Sequence, residues 1–181
     1  PKNDHVTVKG RPLKSRPGKI YIAFHKPDKV VCTLDDPKGR PTIKDYFHKK
    51  YRQKLTPVGR LDWDSEGLIL VSNDGDFSQA VTKPANQIVK TYLVKLDGQP
   101  TEAQLERLRR GVSIVGGKVR AQFVERMKKG SKKYDWIRIG ITEGKNRQVR
   151  KMFAKIGYDV KRLRRVAIGG LKLGQLKKGQ S

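Results

Sequence analysis

Four apolar residues stand in a row from Leu68 to Val71, and Ser72-Asn73-Asp74-Gly75 closes them. A short apolar run bounded by turn residues predicts a buried strand. "KIYIAFHKP" (Lys19 to Pro27) alternates and predicts a strand ended by proline. "IVKTYLVKLDG" (Ile88 to Gly98) is the clearest strand: β-branched, aromatic, alternating and bounded by Asp97-Gly98. Helical spacing appears elsewhere. "TEAQLERLRRG" (Thr101 to Gly111) opens with a Thr101/Gln104 capping box and stops at Gly111. "DFSQAVTKP" (Asp76 to Pro84) predicts a short helix stopped by Pro84. Another short helix is expected near Thr42, with that hydroxyl as its cap. In "NRQVRKMFAKIG", Val149, Met152, Phe153 and Ile156 follow i, i+3, i+4, i+7, with Asn146 as cap and Gly157 as stop. Arg150 then flanks the apolar face of that helix. Residues 112–144 predict three strands, the second and third joined at Lys129-Gly130-Ser131-Lys132, and a basic strand with Gly-rich turns follows Val160. Antiparallel-looking strands with interspersed helices predict an α+β fold around a central sheet.

Charge changes the picture most. The 181 residues include 42 Lys+Arg against 17 Asp+Glu, a net charge of +25, and 35% are hydrophobic. The length fits one domain, or one with a small appendage. Residues 1–60 hold 16 basic and 5 acidic side chains, residues 61–142 hold 14 and 10, and residues 143–181 hold 12 and 2. Two basic zones flank a nearly balanced middle, which suits a polyanion such as nucleic acid. Cys32 is alone, so no internal disulfide is available, and a reducing compartment is expected. His5, His25 and His48 lie far apart without metal-ligand spacing, so no metal is expected. No apolar run approaches the ~20 residues of a membrane span, and no membrane partner is expected.

The candidate chemistry sits just before the Leu68–Val71 run. No Walker loop or dinucleotide fingerprint is present; Gly116-Gly117 and Gly169-Gly170 read as turns. An Asp ahead of a strand is commonly a turn residue. Asp62, however, follows Gly59, which permits a tight backbone, and Arg60, which supplies a cation, while Leu61 anchors the loop inward. A carboxylate held beside a cation can be aimed, and can serve as a nucleophile. Asp64 and Glu66 read as turn and surface residues, and Asp74 as part of the closing turn.

"GRLDWDSEGLILVSNDG" resembles the signature of pseudouridine synthases of the ribosomal small-subunit synthase A family. "AFHKPDKVVCTLDDPKGRPTIKDYF" is similar to that family's opening strand and loop, with His25 where Asn is more usual. "KTYLVKLDG" resembles its second motif, and "ITEGKNRQVRKMFAKIGYDVKRLRRVAIGGLKLGQLKKG" its third motif and last strand. The stretch from Asp36 to Thr42 is closer to large-subunit enzymes of the B type, while "RLDWDSEG" and "EGKNRQVRKM" also echo the E type. The resemblance spans roughly residues 19–181. It implies the pseudouridine synthase fold: a central, mostly antiparallel mixed sheet with flanking helices and an active-site cleft. Residues 1–18 would then be the remnant of an N-terminal S4 RNA-binding domain and linker, and 19–181 the catalytic domain.

The resemblance implies a cytoplasmic, monomeric enzyme that isomerises a uridine in a large-subunit ribosomal RNA stem-loop without any cofactor. Asp62 would be the catalytic carboxylate. Tyr92 would stack on the base, Arg150 would pair with the catalytic carboxylate and orient it, and Leu163 would pack near the uracil. Arg60 would fill the space left by the flipped uridine or hold a phosphate. Arg147, Arg164 and Arg165 are expected to contact RNA phosphates. The rivals are a non-catalytic RNA-binding or ribosome-assembly protein on the same fold, a ribosomal protein that only neutralises RNA, and an enzyme acting on small-subunit RNA.

Overall fold

The computed structural model describes residues 7–8, 11–12, 18–127 and 133–181. Two-residue strands β1 (Thr7–Val8) and β2 (Arg11–Pro12) pair antiparallel. The S4 reading of residues 1–18 and the joint at Lys129–Lys132 fall mostly or wholly outside the described residues.

The alternation after Lys19 becomes β3 (Tyr21–Lys26), stopped by Pro27, which has no N–H to offer a neighbour. Helix α1 (Lys44–Phe47) is one turn long, and Thr42 does not cap it. The roles are reversed: the Thr42 N–H and hydroxyl both donate to Asp45 Oδ2. Strand β4 (Thr56–Val58) leads to β5 (Glu66–Ser72), in which all seven residues are buried. Asp74 ends the turn and caps α2 (Gly75–Thr82), accepting from the N–H groups of Asp76 and Phe77. A cap of this kind stabilises a helix by about 1 kcal/mol. A single 3₁₀ turn at Pro84–Asn86 follows α2, as the proline stop requires.

Strand β6 (Lys90–Asp97) and helix α3 (Glu102–Arg110) fall where the pattern places them, with the Thr101/Gln104 capping box formed in both directions. The three strands expected next are four. β7 (Val112–Ile114) and β8 (Gly117–Val119) make a separate hairpin, while β9 (Phe123–Arg126) and β10 (Tyr134–Ile141) join the main sheet. Helix α4 (Gln148–Lys155) buries Val149, Met152 and Phe153. Each such side chain contributes about 1.5–3 kcal/mol relative to exposure. Asn146 does not cap α4; Arg147 occupies that position in the left-handed region, φ 51°, without a side-chain cap. Strands β11 (Val160–Ile168) and β12 (Leu171–Lys172) complete the chain.

The eight-stranded sheet runs β3-β5-β11-β6-β10-β9, with β4 also paired to β5 and β12 to β11. It is mixed, because β5 and β11 are parallel while the other pairings are antiparallel. Their junction is close. Gly67 has φ 114°, and a Cβ there would sit 2.6 Å from the Arg165 nitrogen. Only glycine accepts both that backbone and that approach. The larger core lies on one face, where Ile69, Val94, Ile137 and Leu163 meet α3 and α4 residues such as Leu105 and Phe153. A smaller core on the other face packs Leu68, Leu70 and Ile168 against Val81 of α2 and Leu173.

Glu66, expected at the surface, is buried at 2% exposure. It opens a strand covered on both sides, so its carboxylate needs partners. Oε1 accepts from Arg162 Nε at 2.8 Å and Arg164 Nε at 2.7 Å, and Lys178 reaches Oε2. Burial alone would push this carboxyl up; Arg162, Lys178 and Arg164 outweigh it and hold it at about 2.

Candidate active site

The loop from Gly59 to Ser65 is clamped at both ends. Val58 pairs with Leu70 before it, and Glu66 lies opposite Arg164 after it. Gly59 adopts φ 75°, which starts the tight bend. Leu61 drops into the main core, and its N–H points at Cys32 Sγ, 3.2 Å away. Trp63 C=O accepts from the Lys29 N–H at 2.7 Å, and the Ser65 N–H donates to the Asp62 carbonyl at 3.1 Å. The backbone on either side of Asp62 is therefore tied to other parts of the chain.

The Asp62 side chain is not tied. It is 34% exposed, makes no hydrogen bond among the described residues, and has its nearest cation, Arg147 Nη1, at 4.0 Å. It lies on a cleft of about 420 Å³ that Tyr92, Leu163 and Arg165 also line. Tyr92 and Leu163 are 8% and 5% exposed and form an apolar wall within the main core. Arg60 is exposed at the rim. Asp62, Arg60, Tyr92 and Leu163, which span over a hundred positions of sequence, thus meet at one cavity.

Arg150 is placed differently from the sequence reading. It does not line the cleft and does not pair with Asp62. Its Nη2 donates to the Asp64 carbonyl at 2.8 Å and lies 3.3 Å from that carboxylate, while Nη1 donates to the Val160 carbonyl. Arg147 forks both Asp64 oxygens, at 3.1 and 2.9 Å, and is the arginine nearest Asp62. The reason is local: the left-handed backbone at Arg147 leans it over the loop, whereas Arg150 sits one turn deeper in α4. Asp64 is therefore a hub joining the loop to α4. Burial opposes its charge, but Arg147 and Arg150 outweigh that and hold its carboxyl below the usual range.

The three arginines read as phosphate contacts also separate. Arg147 reaches the cleft from its rim. Arg164 is held by Glu66. Arg165 is buried at 5% exposure; its Nε donates to the Leu68 carbonyl, and its Nη2 finds no partner among the described residues. Ser65 Oγ on the same cleft is likewise buried and unpartnered. Two buried donors without acceptors at one cavity mark a place where a polar ligand completes the bonding. Ser65 and Lys90, both on the cleft wall, escaped the sequence reading, although each sits inside one of the family-like motifs. Among the described residues no group of three His, Cys, Asp or Glu could hold a metal ion.

An unbonded carboxylate, an apolar wall with one aromatic ring and two orphan donors share this cleft. The comparisons give it a class. A family model described as RNA pseudouridylate synthase matches residues 20–155. The ribosomal large subunit pseudouridine synthase B of Bacillus subtilis (strain 168) is 37% identical over 182 residues, covering 99% of this chain and 73% of that protein. The ribosomal large subunit pseudouridine synthase E of Vibrio vulnificus (strain CMCP6) is 38% identical over 192 residues, covering 99% and 80%. A crystal structure of a pseudouridylate synthase superposes with a TM-score of 0.79 at 31% identity, over 93% of this chain and 71% of that one. An H/ACA ribonucleoprotein bound to a substrate RNA shares the fold at 16% identity, TM-score 0.66, over 87% of this chain and 50% of that one. The chain belongs to the RNA pseudouridylate synthase family, and its activity class is that of an isomerase.

Proposed function

We propose that this chain isomerises one uridine in a stem-loop of large-subunit ribosomal RNA, with Asp62 as the catalytic carboxylate. Ribosomal large subunit pseudouridine synthase, of type B or type E, is the name carried by the similar proteins of B. subtilis and V. vulnificus. The observation that carries the chemical reading is the unbonded Asp62 side chain on the cleft that Tyr92 and Leu163 wall. The reaction breaks the N1–C1′ bond, turns the uracil and joins C5 to C1′; the proton leaves C5 and one is returned to N1. Atoms and electrons balance within the substrate. Asp62 acts at the sugar–base junction. Tyr92 stacks on the ring and stands where the C5 proton leaves. Leu163 holds the detached base, and Arg165 Nη2 and Ser65 Oγ donate to its carbonyls. Arg60 and Arg147 flank the target's phosphates, and Arg150 positions the loop through Asp64.

Residues 19–181 form the catalytic unit in this proposal, acting as a cytoplasmic monomer without a cofactor, with residues 1–18 belonging to a preceding S4 RNA-binding domain. Within the family we place the chain with the small-subunit synthase A group, on the branch of the B-type and E-type enzymes of large-subunit RNA. Asp62→Asn tests the chemistry: RNA affinity should hold while isomerisation falls by more than about 10³-fold. An Asn variant that still makes pseudouridine would overturn the assignment. Mapping pseudouridine in both ribosomal RNAs from cells lacking the gene decides the substrate. A missing small-subunit site would overturn the large-subunit reading.

A further inference from the structure

Strand β11 points two ways. Leu163 faces the main core and the cleft, so Arg162 and Arg164 beside it point to the opposite side of the sheet. The same parity runs outward. Val94 and Leu96 of β6, Ile137 and Ile139 of β10, and Val124 of β9 fill the core. Leu93, Lys95, Trp136, Arg138, Phe123 and Glu125 therefore look the other way. Register aligns them in rows: Arg162, Lys95 and Trp136 in one, and Arg164, Leu93, Arg138 and Glu125 in the next. Helix α2, Leu173 and Leu176 cover this side over β3, β4, β5 and the end of β11. Over β6, β10 and β9 the face is open among the described residues. Arg138 and Glu125 are 45% and 54% exposed, and Arg162 and Arg164 are 42% and 32%.

We infer that this open half-sheet is a second RNA-binding surface, for a segment flanking the one in the cleft; the identity of the partner rests on the RNA reading above. Its chemistry selects the occupant. Cations and aromatic rings interleave: Lys95 Nζ lies 4.1 Å from the Tyr134 ring centre and Arg138 lies 5.1 Å from that of Phe123. Lys95, Arg138, Arg162 and Arg164 face three carboxylates, Glu125, Glu66 and Asp97; Glu66 is itself buried and Asp97 is paired by Lys161. Lys133 adds a further cation, its Nζ 5.7 Å from the Tyr134 ring centre. A protein-docking patch is depleted in lysine at its centre. A sheet face of basic and aromatic side chains suits phosphates and bases, as stacking platforms for single-stranded RNA do.

The chain has two tryptophans, one at each surface. Trp63 follows Asp62 and is 42% exposed; Trp136 is half-buried among the side chains of the open face. Trp63→Phe leaves a reporter on the face, and Trp136→Phe one by the cleft. Each is titrated with oligouridines of about 5 and about 30 nucleotides, at the low end of and beyond a footprint of ~4–16. We expect saturable quenching of Trp136 by the longer RNA and little by the shorter. Lys95→Gln with Arg138→Gln should weaken binding of the longer RNA up to about tenfold and cut its salt slope by about 1.4. Quenching of Trp63 alone would overturn this surface while leaving the cleft reading intact, and quenching of neither would overturn RNA binding itself. A dimer that shields Trp136 without RNA would assign the face to a second copy and end the proposal. The Trp136 titration needs no charge variant, so it decides the matter even where the double variant misfolds.

Discussion

At the scale of single residues, the site divides into side chains that serve stability and side chains that oppose it. Arg165 belongs to the second kind. Its buried Nη2 is unpartnered among the described residues, and it lowers the affinity of half-buried Lys90 for its proton, adding to the effect of burial there. Burying an unpaired cation costs stability, and methionine of similar length would relieve it. Arg165→Met should leave unfolding free energy unchanged or raise it by about 1 kcal/mol, while kcat/KM on the RNA stem-loop falls at least about 100-fold. Urea unfolding beside single-turnover kinetics checks both signs; a loss of stability with activity kept would show that Arg165 is only a structural strut. Tyr92, Leu163 and Arg60 were legible because each lies in an ordered motif and the fold brings those motifs to one cavity. Ser65 was not, because a small hydroxyl has no periodic signature and its importance appears only once it is buried without an acceptor. The partner of Arg150 was misread for a related reason. Its helical phase was correct, but the choice between Asp62 and Asp64 depends on the left-handed turn at Arg147, which a side chain other than Gly, Asn or Asp rarely announces.

At the scale of elements, the β5–β11 junction holds the site together, and it shows where periodicity stops being informative. The run Leu68–Val71 announced a buried strand, yet Glu66 read as surface because its partners lie 96 and 98 residues away. Sequence spacing cannot reveal such a pairing; only the parallel docking of β11 does. The strand count from residue 112 onward failed differently. The β7–β8 hairpin has three-residue strands on either side of Gly116-Gly117, too short for alternation to separate from a turn. Two outcomes follow from the junction. Gly67→Ala should destabilise the protein by more than about 3 kcal/mol, since the new Cβ meets the Arg165 backbone at a φ that alanine avoids; a soluble variant of unchanged melting temperature would contradict the packing. The Glu66 carboxyl, held at about 2 against an ordinary 4.5, stabilises the fold fully above pH 4.5. That stability is lost as pH falls from about 4.5 toward 2, because the unfolded chain takes up the proton first. It amounts to roughly 2 kcal/mol after allowing for the half-exposed cations. Unfolding curves of wild type and Glu66→Gln should diverge above pH 4.5 and converge near pH 2.

For the molecule as a whole, charge and chemistry occupy different places. The two basic zones of the sequence do converge: Arg60 from the first and Lys145, Arg147 and Arg165 from the second line one cleft. The nearly balanced middle supplies Asp62, Asp64 and Glu66. Cations from the last stretch neutralise the latter two, and of the three only the Asp62 side chain has no hydrogen-bonded partner among the described residues. With a net charge of +25, most cations are left for RNA. Affinity should then depend on salt far more than turnover does. With roughly 6–10 phosphates neutralised, affinity for a ribosomal stem-loop should fall about 10³–10⁵-fold between 50 and 200 mM salt. The rate at saturating protein should change less than about threefold, because the apolar wall of Tyr92 and Leu163 and the buried end of Arg165 are shielded from ions in bulk water. Filter binding and single-turnover assays at matched salt separate the two. A turnover rate that falls in step with affinity would mean that outer phosphate contacts also set the geometry at Asp62, and that cleft and charged surface act as one device.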